Sequence, residues 1–143
     1  MHDAHVVGHL EKTVINCPAP RDLAEFYCAV LGMAVQQDYE DWVTIGSAPG
    51  MRELAFQRSP GWQRPKWPDP TYLEQMHLDI RVLDPDEAGS KVLALGALRA
   101  SPSAPETGFR VFIDPAGHPF CLVFGPGGHA DPRWRTLYDN PPA

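Results

Sequence analysis

Cysteine is scarce in this chain: only Cys17, Cys28 and Cys121 occur. An odd and widely spaced set of that kind excludes a disulfide framework. It makes a reducing cytoplasm the default expectation. Long apolar runs are missing as well. None approaches the ~20 residues needed to cross a bilayer, so no membrane partner is expected. Basic residues are outnumbered, 12 Lys and Arg against 18 Asp and Glu, for a formal net charge of −6. The arginines are scattered and form no basic stripe, which argues against nucleic acid as a partner. The first nine residues lack the basic-then-apolar order of a secretory signal. They carry His2, His5 and His9, which read as an untethered leader before they read as a metal trap.

What is present suits a globular protein. The chain has 143 residues, 43% hydrophobic and 21% charged. That is enough for one domain, or for two small modules that share a core. Proline is abundant, with 16 residues, and implies many defined turns.

The most informative stretch is residues 75–82, Gln-Met-His-Leu-Asp-Ile-Arg-Val. Leu78, Ile80 and Val82 alternate with His77, Asp79 and Arg81. In a strand, successive side chains go to opposite faces, so one face is apolar and the other ionisable. The polar face is expected to line a site.

In chain order, residues 12–16 read as a strand, ended by Pro18 and Pro20. Leu23, Phe26, Tyr27, Val30 and Leu31 then follow the spacing of an amphipathic helix over residues 22–31. Gly32 stops it at a position that favours a left-handed residue. Residues 33–39, 42–46 and 52–58 read as three strands. Residues 59–71 form a Pro- and Trp-rich connector. After the strand at 75–82, Asp84, Pro85 and Glu87 announce a helix by N-cap, first-turn proline and capping box. Ala88, Val92 and Leu95 are its expected buried stripe, and Gly96 its end. Residues 97–100, 109–113 and 120–124 are expected strands. A Pro/Gly turn, Asp-Pro-Ala-Gly-His-Pro, joins the last two. The tail holds Trp134, Leu137 and Tyr138, candidates to dock on the body.

The two halves align. Val30-Leu31-Gly32 matches Ala94-Leu95-Gly96, and residues 12–16 match 77–81. The expectation is an α+β fold of two βαβββ modules, with helices outside and a concave half-barrel sheet inside. Repeats of this kind bury their faces jointly.

Four stretches carry a family resemblance: residues 22–33 (Asp-Leu-Ala-Glu-Phe-Tyr-Cys-Ala-Val-Leu-Gly-Met), 54–58 (Leu-Ala-Phe-Gln-Arg), 77–82, and 114–123 (Asp-Pro-Ala-Gly-His-Pro-Phe-Cys-Leu-Val). In them the chain resembles the vicinal oxygen chelate superfamily, the glyoxalase, bleomycin-resistance and extradiol-dioxygenase fold, and most of all its glyoxalase-like branch. The resemblance implies a domain over residues 10–126. It comprises modules 10–58 and 75–126, the connector 59–74 between them, and a tail 127–143. It also implies one divalent metal held by the first and last strands of each module. Those positions here are Lys12, Glu53, His77 and Cys121. Glu53 and His77 are good ligands. Cys121 suits zinc and suits magnesium or manganese badly. Lys12 has no lone pair to give and repels a cation. The implied cofactor is therefore zinc, iron, manganese or nickel, with Asp79 or a water completing the site, or else no metal at all.

Two function classes follow. One is a metal-dependent lyase, isomerase or dioxygenase built on Glu53, His77 and Cys121. The other is a binding protein for a small anionic or oxygen-rich molecule, with Lys12, Trp42, Trp62, Trp67 and Asp79 as ligand contacts. In the second class Lys12 and Glu53 neutralise each other. Homodimerisation is common in the superfamily and is expected here on that ground alone. The plainer roles are a buried inert thiol at Cys121, a surface His118, and connector tryptophans that plug a crevice.

Overall fold

The computed structural model describes residues 8–64, 76–100 and 108–125. The chain divides into two compact units, Met1–Trp62 and Gln63–Ala143. Among the described residues, each holds one four-stranded mixed sheet and one helix.

The first unit runs β1 (Thr13–Cys17), α1 (Pro20–Leu31), β2 (Ala34–Tyr39), β3 (Trp42–Gly46) and β4 (Leu54–Arg58). The sheet order is β1-β4-β3-β2, with β1 parallel to β4 and the other pairs antiparallel. Pro20 does not end the strand alone; it is the first residue of the helix. Its missing N–H is needed by no partner there, and its fixed φ suits the first turn. Leu23, Ala24, Phe26 and Tyr27 are buried. Tyr27 stacks on Phe56 of β4 with ring centroids 5.7 Å apart, and Phe26 meets Tyr27 edge-on at 4.9 Å. Val43, Ile45, Leu54 and Phe56 complete this core. Gly32 closes the helix at φ 67°, and its N–H donates to the Cys28 carbonyl. Any other residue would be strained there.

The second unit repeats the plan: β5 (Leu78–Arg81), α2 (Pro85–Ala94), β6 (Leu98–Arg99), β7 (Phe109–Ile113) and β8 (Pro119–Val123). Its order, β5-β8-β7-β6, is the same permutation as in the first unit, and β5 is parallel to β8. The internal repeat read from the sequence is thus a repeat of topology. Asp84 caps α2 by accepting from the Asp86 and Glu87 N–H groups at 3.0 and 3.1 Å. The Glu87 carboxylate pairs with Lys91 at 3.0 Å, one turn on. Val92 and Gly89 are the buried residues of α2. Leu95, expected in the stripe, is 42% exposed because the helix has ended by then and Leu95 is its C-cap. Phe112 and Phe120 stack at 5.9 Å on the side of the sheet that carries Ile80 and Leu122.

The β7–β8 turn is built on a buried acid. Asp114 accepts from the Ala116 and His118 N–H groups, each at 2.9 Å, and is 1% exposed. Its own N–H donates to the His118 carbonyl at 2.8 Å. Connector residue Arg64 reaches the same turn, donating to the Pro115 carbonyl at 3.1 Å. No helix among the described residues is long and apolar enough to cross a membrane.

Candidate functional site

The strand alternation of β5 puts Leu78 and Ile80 on one face and Asp79 on the other. Leu122 of β8 pairs with Ile80, and Cys121 pairs with Asp79, in parallel register. Asp79 and Cys121 therefore lie side by side on the face opposite the buried Ile80, Phe120 and Leu122. His77 stands one residue before β5 begins, on the same side as Asp79 by alternation. Its Nε2 is 3.3 Å from Asp79 Oδ1. The ligand atoms of His77, Asp79 and Cys121 all lie within 4.8 Å of one another. His77 and Asp79 are exposed and Cys121 is half-buried, so the group is open to solvent on one side.

The first module distributes its expected site residues differently. Glu53 stands just before β4. Its Oε1 accepts from the Ser47 N–H at 3.0 Å and from the Ser47 hydroxyl. Those bonds favour the carboxylate and hold its pKa below the ordinary glutamate value. Lys12 does not pair with Glu53. Its ammonium lies 3.5 Å from Glu11 and 6.0 Å from the centre of the Trp42 ring. Trp42 opens β3, an inner strand, and its indole N–H donates to Gln37 Oε1 at 3.3 Å. Trp62 is half-buried and its N–H closes a turn onto the Ser59 carbonyl at 3.2 Å. Trp67 lies outside the described residues, as do His2, His5, Trp134, Leu137 and Tyr138.

The Ser47–Glu53 contact carries a pH signature. A carboxylate with a depressed folded-state pKa stabilises above the unfolded-state pKa, and loses that contribution as pH falls through the folded-state value. Ser47→Ala removes the hydroxyl donor. The variant is expected to have a lower urea midpoint than the wild type at pH 7. The gap should narrow as Glu53 protonates on the acid side of the ordinary glutamate range. Urea titrations at several pH values check this; a gap that stays constant with pH would contradict it.

The glyoxalase-like domain signature matches residues 12–123. This chain belongs to the glyoxalase-like domain family. Solved structures of vicinal oxygen chelate proteins share its fold. One is a glyoxalase/bleomycin resistance protein/dioxygenase family enzyme from Burkholderia phytofirmans. It is 14% identical with a TM-score of 0.60, over 82% of this chain and 98% of that one. Another is the trypanothione-dependent glyoxalase I of Leishmania major, 21% identical with a TM-score of 0.58, over 82% and 86%. A third is the fosfomycin resistance protein FosX of Listeria monocytogenes, 13% identical with a TM-score of 0.60, over 84% and 95%. At these identities the likeness is one of fold. No protein of curated function matches the chain.

Within this glyoxalase-like domain, the four-position ligand set implied by the resemblance does not fit as a whole. Lys12 offers no lone pair, while Glu53 accepts from Ser47 through Oε1 alone and stays a carboxylate donor. The second module's trio fits better. An imidazole, a carboxylate and a thiolate together suit a borderline-soft ion such as zinc. Ligand atoms around tetrahedral zinc sit roughly 3.5 Å apart at the usual bond lengths. The side chains of His77 and Asp79, 45% and 51% exposed, have rotamer freedom to draw in from the observed spacing. Sequence reasoning gave Asp79 to ligand binding and offered it, or a water, to complete a metal site. The signal that places it beside Cys121 is the β5–β8 register, a pairing of strands some 40 residues apart. Gln37 and Thr44 were missed. Each is a polar residue in a strand, a pattern also made by solvated sheet faces.

Proposed function

We propose that this glyoxalase-like domain binds a divalent ion, zinc by donor type, through His77, Asp79 and Cys121, and there takes up a small oxygen-bearing molecule. The observation that carries the reading is the convergence of three chemically different ligand atoms within 4.8 Å on the exposed side of one module. Three protein ligands leave zinc a position for water or substrate, the arrangement of catalytic rather than structural sites. A bound ion would polarise a substrate oxygen and stabilise negative charge developing on it. His77 and Asp79 would supply the nitrogen and oxygen donors, and Cys121, pinned by pairing on both sides of β8, the sulfur. Zinc has no redox chemistry, so the reading favours a lyase or isomerase over a dioxygenase. The structures named glyoxalase I and FosX are like this chain in fold alone.

Cobalt(II) substitution tests the donor set directly. The wild type is expected to show a thiolate-to-cobalt charge-transfer band in the near ultraviolet, and Cys121→Ser is expected to lose it. Zinc affinity should fall at least about tenfold in the same variant, since a coordinating thiolate is removed. A band that survives in Cys121→Ser would place the ion elsewhere.

A further inference from the structure

The first module carries a different piece of chemistry on the side of its sheet opposite Phe56 and Val43. Trp42 Nε1–H and Thr44 Oγ1–H both donate to Gln37 Oε1, each at 3.3 Å. Two donors on one amide oxygen fix which end of Gln37 points inward. They also hold the indole in a set orientation. The Lys12 ammonium sits 6.0 Å from the centre of that indole, at the outer limit of a cation–π contact. The Lys12 side chain is only 17% exposed, yet the carboxylate beside it belongs to Glu11, 77% exposed and 3.5 Å away. A loose pair with a solvated glutamate contributes little, and a ligand carboxylate displaces it at small cost.

We propose that this face binds a small planar carboxylate. The carboxylate takes the Lys12 ammonium in place of Glu11, and the ring lies against the Trp42 indole that Gln37 and Thr44 orient. Charge selects the head group and the indole selects a flat, apolar body. An aliphatic acid satisfies only the first requirement, and a neutral aromatic amide only the second. Lys12, Trp42, Gln37 and Thr44 need no ion at His77, Asp79 and Cys121 to make these contacts.

The test uses the full chain in EDTA, so that failure of the metal reading and failure of this one are separable. Benzoate is titrated while the indole N–H resonance of Trp42, assigned by its loss in Trp42→Phe, is followed by NMR. The expected result is a saturable shift. Benzamide and acetate should each bind at least tenfold more weakly than benzoate. Lys12→Gln should weaken benzoate at least tenfold and Lys12→Arg should restore it. No saturable shift with benzoate, equal binding of acetate or benzamide, or undiminished benzoate binding by Lys12→Gln would overturn the proposal. Should Lys12→Gln fail to fold, the three-ligand comparison on the wild type decides alone.

Discussion

Phe56→Ala is expected to destabilise the first module by about 3–5 kcal/mol, the usual cost of deleting a fully buried ring. Phe56 has no exposed surface. It stacks on Tyr27 with an interplanar angle of 12°, and such a pair adds about 0.5–1.5 kcal/mol beyond the buried area. It also sits between Ile15 on β1 and Val43 on β3 in the sheet register. One ring thus joins the helix to three strands, and removing it leaves a cavity that those elements cannot close independently. The loss is a large share of the stability available to a domain of this size. Urea unfolding followed by far-ultraviolet circular dichroism measures it. Phe56→Leu, which keeps much of the volume, should cost clearly less. Equal costs for the two variants would mean that the stacking and cavity account is wrong.

Asp114→Ala is expected to cost the second module roughly 2–4 kcal/mol. Hydrogen bonds to a charged acceptor are worth about 1.5–3 kcal/mol each, and a buried donor left without one adds its desolvation cost. Asp114 receives two backbone N–H groups. The turn it shapes ends at Pro119, where β8 begins, and β8 carries Cys121 two residues later. The same variant should therefore weaken metal binding although Asp114 is no ligand. Asp114→Asn keeps one side-chain carbonyl acceptor and should lie between Ala and wild type in both stability and zinc affinity. A variant destabilised as expected but with unchanged zinc affinity would separate the turn from the site.

These two positions also show what the sequence makes legible. Phe56 lies in a strand whose alternation is plain, and the helix stripe of Leu23, Phe26 and Tyr27 names its partners by period alone. Local patterning of that kind recovers both βαβββ modules. It recovers the left-handed stop at Gly32 and the N-cap at Asp84. It misplaces ends: Pro20 opens α1, and His77 and Glu53 stand just outside their strands, because hydrophobic alternation does not mark where a ladder starts. Asp114 was legible as a turn residue, since Asp-Pro-Ala-Gly is turn chemistry. Its burial was not, because burial depends on the chain packed around it.

The site was legible in part, for the same reason. His77, Asp79 and Cys121 could each be placed on a strand face, since the side-chain period is two. Their meeting depends on β5 lying beside β8 in one register, a pairing that no local window contains. The face of Glu53 was legible in the same way, and the loop that brings Ser47 to its carboxylate is a matter of tertiary structure. Lys12 was the clearest departure from the superfamily pattern in the sequence. In the structure it meets Trp42 and Glu11 rather than Glu53.

The central claim is that the second module holds an ion through His77, Asp79 and Cys121. The most direct measurement is metal content by elemental mass spectrometry after incubation with zinc, iron, manganese and nickel in turn. It is made on the wild type, His77→Ala and Cys121→Ser, all with His2, His5 and His9 replaced by Gln so that leader imidazoles hold nothing. The account predicts about one zinc per chain in the wild type, as a single mononuclear centre requires, and its loss in both variants. A wild type that retains none of the four ions, or variants that keep as much as the wild type, would contradict it.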